Sequence, residues 1–277
     1  MAIHLGGGAI SKLMLGGVEI ERAYLGSTVV LDSATPTTAT LADVEAVPEV
    51  EAVFLARPGD LFVSGGGNVA ALDDVIAEWR STNGTHTLTQ RNGTGIYWKN
   101  DGSFDRVAFE SGDNGHLELN PTPDNWIAPM MLAAAILPET DYGLDAVTLA
   151  QTSSSQYYTR VYAEPGIPLV GVQTRTGGSN IENSGDQTGF DASARVVLVT
   201  LDNGTAMARV DGTDYPATSN LYGGGADALL AIGGISDDTP FSGRGAVAAV
   251  VVTDGVPSTA DRDTIEQWLA SLVGVSV

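Results

Sequence analysis

Residues 194–215, which read ARVVLVTLDNGTAMARVDGTDY, decide the fold class of this chain. The run at 195–200 is dense in valine and leucine, and alternating branched apolar side chains favour a half-buried β-strand. Asp202-Asn203-Gly204 follows, and these residues tolerate the positive φ that a tight hairpin turn requires. Residues 206–210 form the returning strand, and Asp211-Gly212 turns the chain once more. The stretch predicts a β-meander, and we expect the rest of the chain to complete a sandwich around it.

Short apolar runs separated by turns rich in Gly, Asn and Asp continue along the chain. Two short helices are predicted, one from Asn68 to about Arg80 and one that begins after Ser258. The second helix buries one stripe, which comprises Ile265, Trp268, Leu269 and Leu272. Residues 177–189, GGSNIENSGDQTG, lack apolar rhythm and predict a polar loop of the kind that carries binding function. Further strands are expected at residues 95–99, 106–110, 116–119, 146–150, 157–163, 169–174, 229–233 and 245–253.

The charge balance restricts the partners of this protein. The 277 residues include 34 acidic and 13 basic side chains, which gives a net charge of -21. Such an acidic chain repels nucleic acid and anionic bilayers, so we expect neither as a partner. No stretch approaches the roughly 20 apolar residues of a membrane span, and no membrane insertion is expected. The absence of cysteine excludes disulfides, thiolate metal sites and cysteine nucleophiles.

The N-terminal part of the chain differs in composition from the remainder. Leu15-Gly16-Gly17-Val18 is echoed ten residues later by Leu25-Gly26-Ser27-Thr28, and each copy predicts a strand, a turn and a strand. Residues 1–33 are expected to form a small β-meander of about three strands, which is marginally stable alone. Residues 34–48 are rich in Thr, Ala and Pro and then acidic, which is typical of a linker. The main domain is predicted at 49–277.

Three segments of the main domain carry a family resemblance. The first is WRSTNGTHT at 79–87, and the second is RVAFE at 106–110 followed by GDNGHL at 112–117. The third runs from DNGTAMARVDGTDY at 202–215 to the helix that ends QWLA. In this order the segments resemble the concanavalin A-like lectin/laminin-G jelly roll. The resemblance implies an all-β fold, a jelly-roll β-sandwich with one or two short helices behind the small N-terminal β-meander. Glu110-Ser111 and His116-Leu117 depart from the family's usual Asp-Gly and Asp-Tyr, so no ligand is assigned to that turn.

The N-terminal segment, LMLGG followed by AYLGSTVV, resembles short modules that anchor the distal domain of tail-fibre and other virion proteins. Together the two resemblances imply a virion fibre or head-spike protein at the surface of a phage-like particle. Its partners would be other virion proteins, through the N-terminal module, and a host-surface polysaccharide. Fibres and spikes are usually homo-oligomers, which we expect here as well. Two alternatives stay open: a purely structural or oligomerising decoration protein, and a glycan-degrading depolymerase.

Candidate ligand-binding residues follow from the chemistry of sugar recognition. An aromatic face stacks on the apolar side of a sugar ring, while Asn, Asp and backbone groups bind its hydroxyls. Core packing is the alternative role for each aromatic side chain. The aromatic candidates are Trp126, Tyr157, Tyr158 and Tyr222, and the polar candidates in the predicted loop are Asn180, Asn183 and Asp186.

Catalytic and metal-binding motifs are sparse. Relatives of the sandwich that hydrolyse glycans carry Glu-x-Asp-x-x-Glu on one strand, a spacing that puts the acids on one face. The chain has no such motif, and Glu118 has no second acid two residues away, so we expect no enzyme. We also expect no cofactor. The alternative is Ca²⁺, which takes carboxylate ligands, at Asp101, Asp113 and Asp237, residues that solvated turns explain equally.

Overall fold

The computed structural model describes most of the main part of the chain and short segments of the N-terminal part. The described residues are 13–15, 18–20, 22–25, 28–32, 38–63, 73–91, 95–100, 104–110, 115–119, 122–123, 126–139, 144–151, 154–164, 169–176, 181–187, 193–202, 204–218, 228–234 and 244–277. The backbone alone is described for the segments within 13–32 and for residues 145, 150, 151, 154–157, 164, 169, 176 and 181. The chain divides into two compact units, Met1–Thr38 and Ala39–Val277.

The N-terminal unit contains two antiparallel β-hairpins. Strand β1 (Leu13–Leu15) pairs with β2 (Val18–Ile20), and β3 (Arg22–Leu25) pairs with β4 (Thr28–Asp32). Each copy of the sequence repeat therefore extends from the end of one strand to the start of the strand that pairs with it. The described part of this unit has four short strands, where the sequence predicted about three.

The main unit carries the other elements. In the segment predicted as a linker, residues 34–48, the described part contains helix α1, and its Val44 and the following Val47 are buried. The predicted domain boundary at residue 48 stays a prediction. In chain order the elements are α1 (Leu41–Glu45), β5 (Val50–Leu55), β6 (Leu61–Phe62), β7 (Glu78–Arg80), β8 (Thr87–Arg91), β9 (Ile96–Asn100), β10 (Asp105–Phe109), β11 (His116–Leu119), β12 (Met130–Pro138), β13 (Leu144–Gln151), β14 (Ser154–Glu164), β15 (Leu169–Thr176), β16 (Ile181–Asp186), β17 (Arg195–Asp202), β18 (Thr205–Val210), β19 (Thr213–Asp214), β20 (Ala228–Ile232), β21 (Gly245–Thr253) and α2 (Thr259–Val273).

Two antiparallel sheets face each other across one core. The eight-stranded sheet has the order β19-β18-β17-β12-β21-β10-β9, with β5 also paired to β21. The nine-stranded sheet has the order β16-β15-β14-β13-β20-β11-β8-β7-β6. Alternate residues of both sheets point inward, and core side chains such as Phe54, Trp79 and Leu132 have no exposed surface. The predicted all-β sandwich is confirmed.

The meander at 194–215 is present as predicted. Strands β17 and β18 pair from Val197 and Val210 at the open end to Asp202 and Thr205 at the turn. Gly204 has a φ of 75°, a left-handed conformation that favours glycine. The turn chemistry of this stretch therefore fixes its local structure.

Both described helices pack on the outer face of the eight-stranded sheet. Helix α2 begins after Ser258, whose Oγ accepts a hydrogen bond from the Asp261 backbone N–H at 3.3 Å. The predicted stripe is buried at Ile265, Trp268 and Leu269 and half-buried at Leu272. No helix in the described part of the chain has the length and apolar composition needed to cross a membrane. The stripe packs on apolar side chains of the sheet, which include Met131, Ala133, Ala135, Val196, Leu198 and Val251.

The helix predicted from Asn68 to about Arg80 is wrong where the structure describes it. From Asp73, which has a φ of 69°, the chain is a turn followed by extended backbone and strand β7. The backbone N–H of Ile76 donates to the Ile96 carbonyl, and Trp79 is buried as predicted. Because pairing with neighbouring strands buries these apolar residues, their helical spacing does not decide the structure.

The polar loop predicted at 177–189 is also corrected. Its described part forms β16, which pairs with β15 at the edge of the nine-stranded sheet. A Cβ on Gly171 would collide with the Ser184 carbonyl, and Gly185 has a φ of 147°, so both positions need glycine for this close approach. Backbone hydrogen bonds to β15 stabilise this edge strand. Because they do not require alternating apolar side chains, the sequence shows no strand pattern here.

Candidate functional site

The outer face of the nine-stranded sheet, which points away from the core, carries polar and aromatic side chains. In β14, Val161 and Ala163 belong to the core, so the alternate residues of that strand point outward. The pairing registers align one outward residue from every strand, and we call this set the transverse row. Its eight strand-to-strand steps span about 38 Å at ~4.8 Å each. The row comprises Phe62, Glu78, Thr89, Glu118, Ala231, Thr148, Arg160, Gln173 and Asn183.

Arg160 stands between two tyrosines on this face. Its guanidinium carbon lies 5.0 Å from the ring centroid of Tyr158 and 3.9 Å from that of Tyr162, which is a cation–π arrangement. All three side chains are buried, and Arg160 is only 4% exposed. Stacking on both sides therefore holds the guanidinium in one orientation.

Gln173 connects this centre to the edge strand β16. Its Oε1 accepts hydrogen bonds from Tyr158 Oη at 2.9 Å, from Arg160 Nε at 3.1 Å and from Arg160 Nη2 at 2.6 Å. Its Nε2 donates to Asn183 Oδ1 at 3.0 Å. Asn183 is half-buried, so the network ends in an oriented amide that is partly open to solvent.

Glu118 lies in the other half of the row, beside Arg91 and His116. Arg91 Nε donates to Glu118 Oε1 at 2.7 Å, and His116 Nε2 lies 3.4 Å from Glu118 Oε2. The hydrogen bond with His116, opposed by burial and reinforced by Arg91, holds the pKa of Glu118 below its ordinary value. The result is an anchored carboxylate that is ionised at neutral pH, next to an arginine side chain that is 55% exposed.

A second arginine–carboxylate pair ends the row. Arg80 Nη2 donates to Glu78 Oε2 at 2.8 Å, and the Arg80 guanidinium carbon lies 3.8 Å from the ring centroid of Phe62. Glu78 and Glu118 both pair in register with Thr89, from opposite sides. The backbones of the two glutamates therefore lie on either side of Thr89, two strand-to-strand steps or about 10 Å apart.

Two further polar residues lie on this face. Thr148 is fully buried, and its Oγ1 has no hydrogen-bond partner among the described residues. Because this side chain has no exposed surface, its oxygen is not accessible to a ligand. Arg175 is half-buried and pairs in register with Tyr158.

The structure unites two of the sequence-predicted ligand residues and removes two others. Tyr158 and Asn183 share the outer face and are joined through Gln173. Trp126 instead lies in the core with no exposed surface, its ring centroid 4.9 Å from that of His86, so it offers no face to a sugar. Asp186 lies on the core-facing side of β16, where it accepts a hydrogen bond from Arg195 Nη2 at 2.7 Å. That ion pair joins the two sheets.

The other predicted residues stay predictions. Tyr157 lies in β14, where only its backbone is described. In the described ranges, no group of three or more His, Asp or Glu side chains could hold a metal ion. The remaining ligand candidates, Asn180 and Tyr222, and the calcium candidates, Asp101, Asp113 and Asp237, lie outside the described residues.

Sequence reasoning misses Arg160 and Gln173, although a signal for them exists. The segment YTRVY at 158–162 puts two tyrosines and an arginine on one face of a strand and Thr and Val on the other. The segment GVQTR at 171–175 alternates in the same way. Alternation alone, however, does not say which residues of different strands stand side by side.

Comparisons with known proteins support the fold. No protein-family model and no curated protein matches this chain. One similar solved structure is domain 4 of AbnA, a GH43 extracellular arabinanase from Geobacillus stearothermophilus, in complex with arabinotriose. The two are 12% identical with a TM-score of 0.57, over 81% of this chain and 98% of that one.

Two other solved structures show the same likeness. A GH54 α-L-arabinofuranosidase soaked with 4-nitrophenyl α-L-arabinofuranoside is 15% identical with a TM-score of 0.58, over 85% of this chain and 65% of that one. The binding domain of botulinum neurotoxin serotype D is 9% identical with a TM-score of 0.52, over 79% of this chain and 51% of that one. At these identities the likeness establishes a shared β-sandwich fold and nothing finer.

Proposed function

We propose that this protein is a carbohydrate-binding β-sandwich that attaches a phage-like particle to a host-surface polysaccharide without cleaving it. The transverse row carries the proposal. It places hydrogen-bonding and aromatic side chains together on a face that the hydrophobic core does not use. Sugar sites combine these two kinds of side chain, because a sugar ring has apolar faces and a polar rim.

The length of the row suits an extended polymer, and because its central members from Ala231 to Gln173 are buried, contact would be made at its more accessible ends. It crosses all nine strands of the sheet, over about 38 Å, and polar residues occur in both halves. The accessible side chains, Arg91 in one half and Asn183 and Arg175 in the other, are the proposed ligand contacts. Of these, Asn183 is oriented by a hydrogen bond from buried Gln173, which in turn accepts hydrogen bonds from Arg160.

The charge state of the carboxylates favours binding over hydrolysis. Glycoside hydrolysis needs one protonated carboxyl group as the acid and a second carboxylate. Glu78 and Glu118 are each ion-paired with an arginine, and the pKa of Glu118 is lowered. Glu118 is therefore not set up to hold the proton that a general acid must deliver.

Two further observations support the proposal. One of the similar structures is a domain in complex with arabinotriose, and another is a binding domain. The virion role rests on the resemblance of the N-terminal segment to attachment modules, together with its separation as a compact unit of its own. Attachment through that unit, to other virion proteins of a homo-oligomeric fibre or spike, is part of the proposal.

The test passes the full chain, with Ca²⁺ present, over immobilised bacterial surface polysaccharides and also follows polymer length by size-exclusion chromatography. We expect binding at constant polymer length. Asn183→Ala should weaken binding about tenfold, the value of one well-placed hydrogen bond. Gln267→Ala, on the exposed side of α2, is the matched control and should bind as the unchanged chain does. Absence of binding to every polysaccharide would favour the structural decoration protein instead.

A depolymerase is the second candidate, and one observation favours it. Glu78 and Glu118 both pair with Thr89, so they lie two strands apart on one face of the sheet and form a pair of carboxylates of the kind that a glycosidase needs. Shortening of the polymer would support this candidate. Glu78→Gln and Glu118→Gln should then each abolish the shortening while binding persists.

A further inference from the structure

Exposed polar side chains of the outer face of the nine-stranded sheet cluster at the end formed by β7, β8 and β11. The side chains of Arg91, Arg80 and Glu78 are 55%, 40% and 32% exposed, and Thr89 between them is exposed as well. At the centre of the face, by contrast, Thr148 is fully buried. A polymer that crosses the face therefore meets the β7–β8–β11 end directly.

The first arginine at this end is anchored by a buried carboxylate. Arg91 Nε donates a hydrogen bond to Glu118 Oε1 at 2.7 Å. The Glu118 side chain is only 10% exposed, and its other oxygen lies 3.4 Å from His116 Nε2. The carboxylate is thus fixed within the sheet. The hydrogen bond uses the Nε of Arg91, and a guanidinium has further N–H donors on its two terminal nitrogens.

The second arginine is held between a carboxylate and an aromatic ring. Arg80 Nη2 donates to Glu78 Oε2 at 2.8 Å, and its guanidinium carbon lies 3.8 Å from the ring centroid of Phe62. Stacking and ion pairing together restrict the guanidinium before any ligand arrives. A ligand that contacts it therefore loses less affinity to the ordering of the side chain.

The two pairs are well separated along the face. In β8, Thr87 pairs with Arg80, and Arg91 follows four residues later. At ~3.4 Å per residue, this places the backbones of the two arginines about 14 Å apart. Two pairs at this distance can contact different sugars of one extended polymer.

We propose that this end of the face is a subsite for an uncharged polysaccharide, whose hydroxyls bind at the Arg91–Glu118 and Arg80–Glu78 pairs. This inference rests on the proposed function and names the ligand class. A guanidinium only donates hydrogen bonds and a carboxylate only accepts them, whereas a hydroxyl does both. Each pair therefore presents a donor and an acceptor side by side, which is what neighbouring hydroxyls of a sugar need.

The pairing of charges disfavours charged sugars. Each arginine is compensated by its glutamate, so a carboxylate on the ligand would compete with Glu118 or Glu78 for the guanidinium. An ammonium group on the ligand would meet the guanidinium itself. The net charge of -21 adds a long-range repulsion of acidic polymers. Uncharged sugars avoid all of these costs.

The test compares neutral polymers with charged derivatives of themselves. The full chain is titrated with dextran, mannan, galactan and arabinan, and with the carboxymethyl derivative of each, at low and at high NaCl concentration. We expect at least one neutral polymer to bind with an affinity that changes less than about twofold with salt, because binding neutralises no net charge. Its carboxymethyl derivative should bind at least about tenfold more weakly at low salt and recover part of that loss at high salt, where repulsion is screened.

Two variants locate the subsite. Arg91→Gln should weaken binding of the neutral polymer about tenfold, through loss of hydrogen bonds to its hydroxyls. Glu118→Gln removes the charge that compensates Arg91, and should reduce the discrimination against the carboxymethyl derivative about tenfold. Arg57→Gln is the matched control, because the Arg57 side chain is 41% exposed and pairs with Asp60 but lies beside α2. It should bind both polymers as the unchanged chain does.

The outcomes separate this inference from the proposed function. Tighter binding of a carboxymethyl derivative than of its parent at low salt would overturn the uncharged ligand class and leave a carbohydrate-binding protein. Undiminished binding of the neutral polymer by Arg91→Gln would overturn the assigned subsite. Failure to bind any polymer, parent or derivative, would overturn the proposed function together with this inference. Circular dichroism and thermal unfolding verify that each variant is folded, and Glu78→Gln, at the more exposed pair, replaces Glu118→Gln if the latter is not.

Discussion

The two outer faces of this sandwich are opposites. On the eight-stranded sheet the outer face is apolar, and α1 and α2 cover it, so that Met131, Leu198 and Trp268 are all buried together. On the nine-stranded sheet the corresponding face carries arginines, tyrosines and amides joined by hydrogen bonds. The chain completes one face with its own helices for stability. The other face carries the polar and aromatic side chains that could contact a ligand.

The strand sequences reflect this difference. Strand β12, MMLAAAILP, and β21, GAVAAVVVT, are apolar at consecutive positions because both of their faces are covered. Strand β14 alternates through Tyr158, Arg160 and Tyr162 because only one of its faces meets the core. A continuous apolar strand thus indicates a sheet buried on both sides, and an alternating strand indicates a face with another role.

Shortening a side chain on the helix-covered face should lower the free energy of unfolding more than shortening one on the polar face. Trp268→Ala removes the largest side chain of the α2 stripe, and we expect it to lower the free energy of unfolding by about 3–5 kcal/mol. Urea denaturation measures this change, with Gln267→Ala, the exposed neighbour on the same helix, as the control. An unfolding free energy that stays within about 0.5 kcal/mol of the unchanged chain would contradict the view that α2 completes the fold.

Substitutions on the polar outer face of the nine-stranded sheet should affect stability and polysaccharide binding to different extents. Gln173→Ala removes the acceptor that Tyr158 and Arg160 share, and the buried donors left behind should lower the free energy of unfolding by about 1–3 kcal/mol. Polysaccharide binding should weaken as well, because Asn183 loses the group that orients it.

Asn183→Ala provides the comparison for this prediction, since it should weaken binding with little loss of stability. Thermal unfolding and binding isotherms on the same samples distinguish the two effects. If Gln173→Ala bound polysaccharide as the unchanged chain does, the transverse row would not be the binding surface.

The smallest expected effect concerns acid stability. The hydrogen bond with His116 lowers the pKa of Glu118 from its ordinary value of 4.5, despite burial and with help from Arg91. A group whose pKa is lower in the folded state stabilises the protein above the unfolded pKa, and this contribution is lost as the pH falls through the folded value. The unchanged chain should therefore lose about 1 kcal/mol more than Glu118→Gln when the pH is lowered from about 6 to about 3. Parallel unfolding curves for the two proteins over this range would refute the role assigned to His116 and Arg91.

Much of the fold is predictable from the sequence because its signals are local. The hairpin at 194–215, the buried stripe of α2 and most strands follow from turn residues and periodicity. The predictions at 68–80 and 177–189 fail because pairing with distant strands overrides a weak local pattern there. For the transverse row, the sequence indicates Tyr158 and Asn183 as ligand candidates. It also indicates Trp126, which is buried in the core.

The sequence alone determines the all-β class of this protein. Alternating apolar residues and left-handed turns such as Asp211-Gly212 fix the backbone conformation of only the few residues around them, so they can be recognised without the tertiary structure. Tertiary structure alone decides the transverse row. Glu118, Thr148 and Arg160 come from separate strands, and their alignment depends on the register and order of the strands between them. The packing of the whole core sets that register, because a slip of one residue would turn every apolar side chain of a strand away from it.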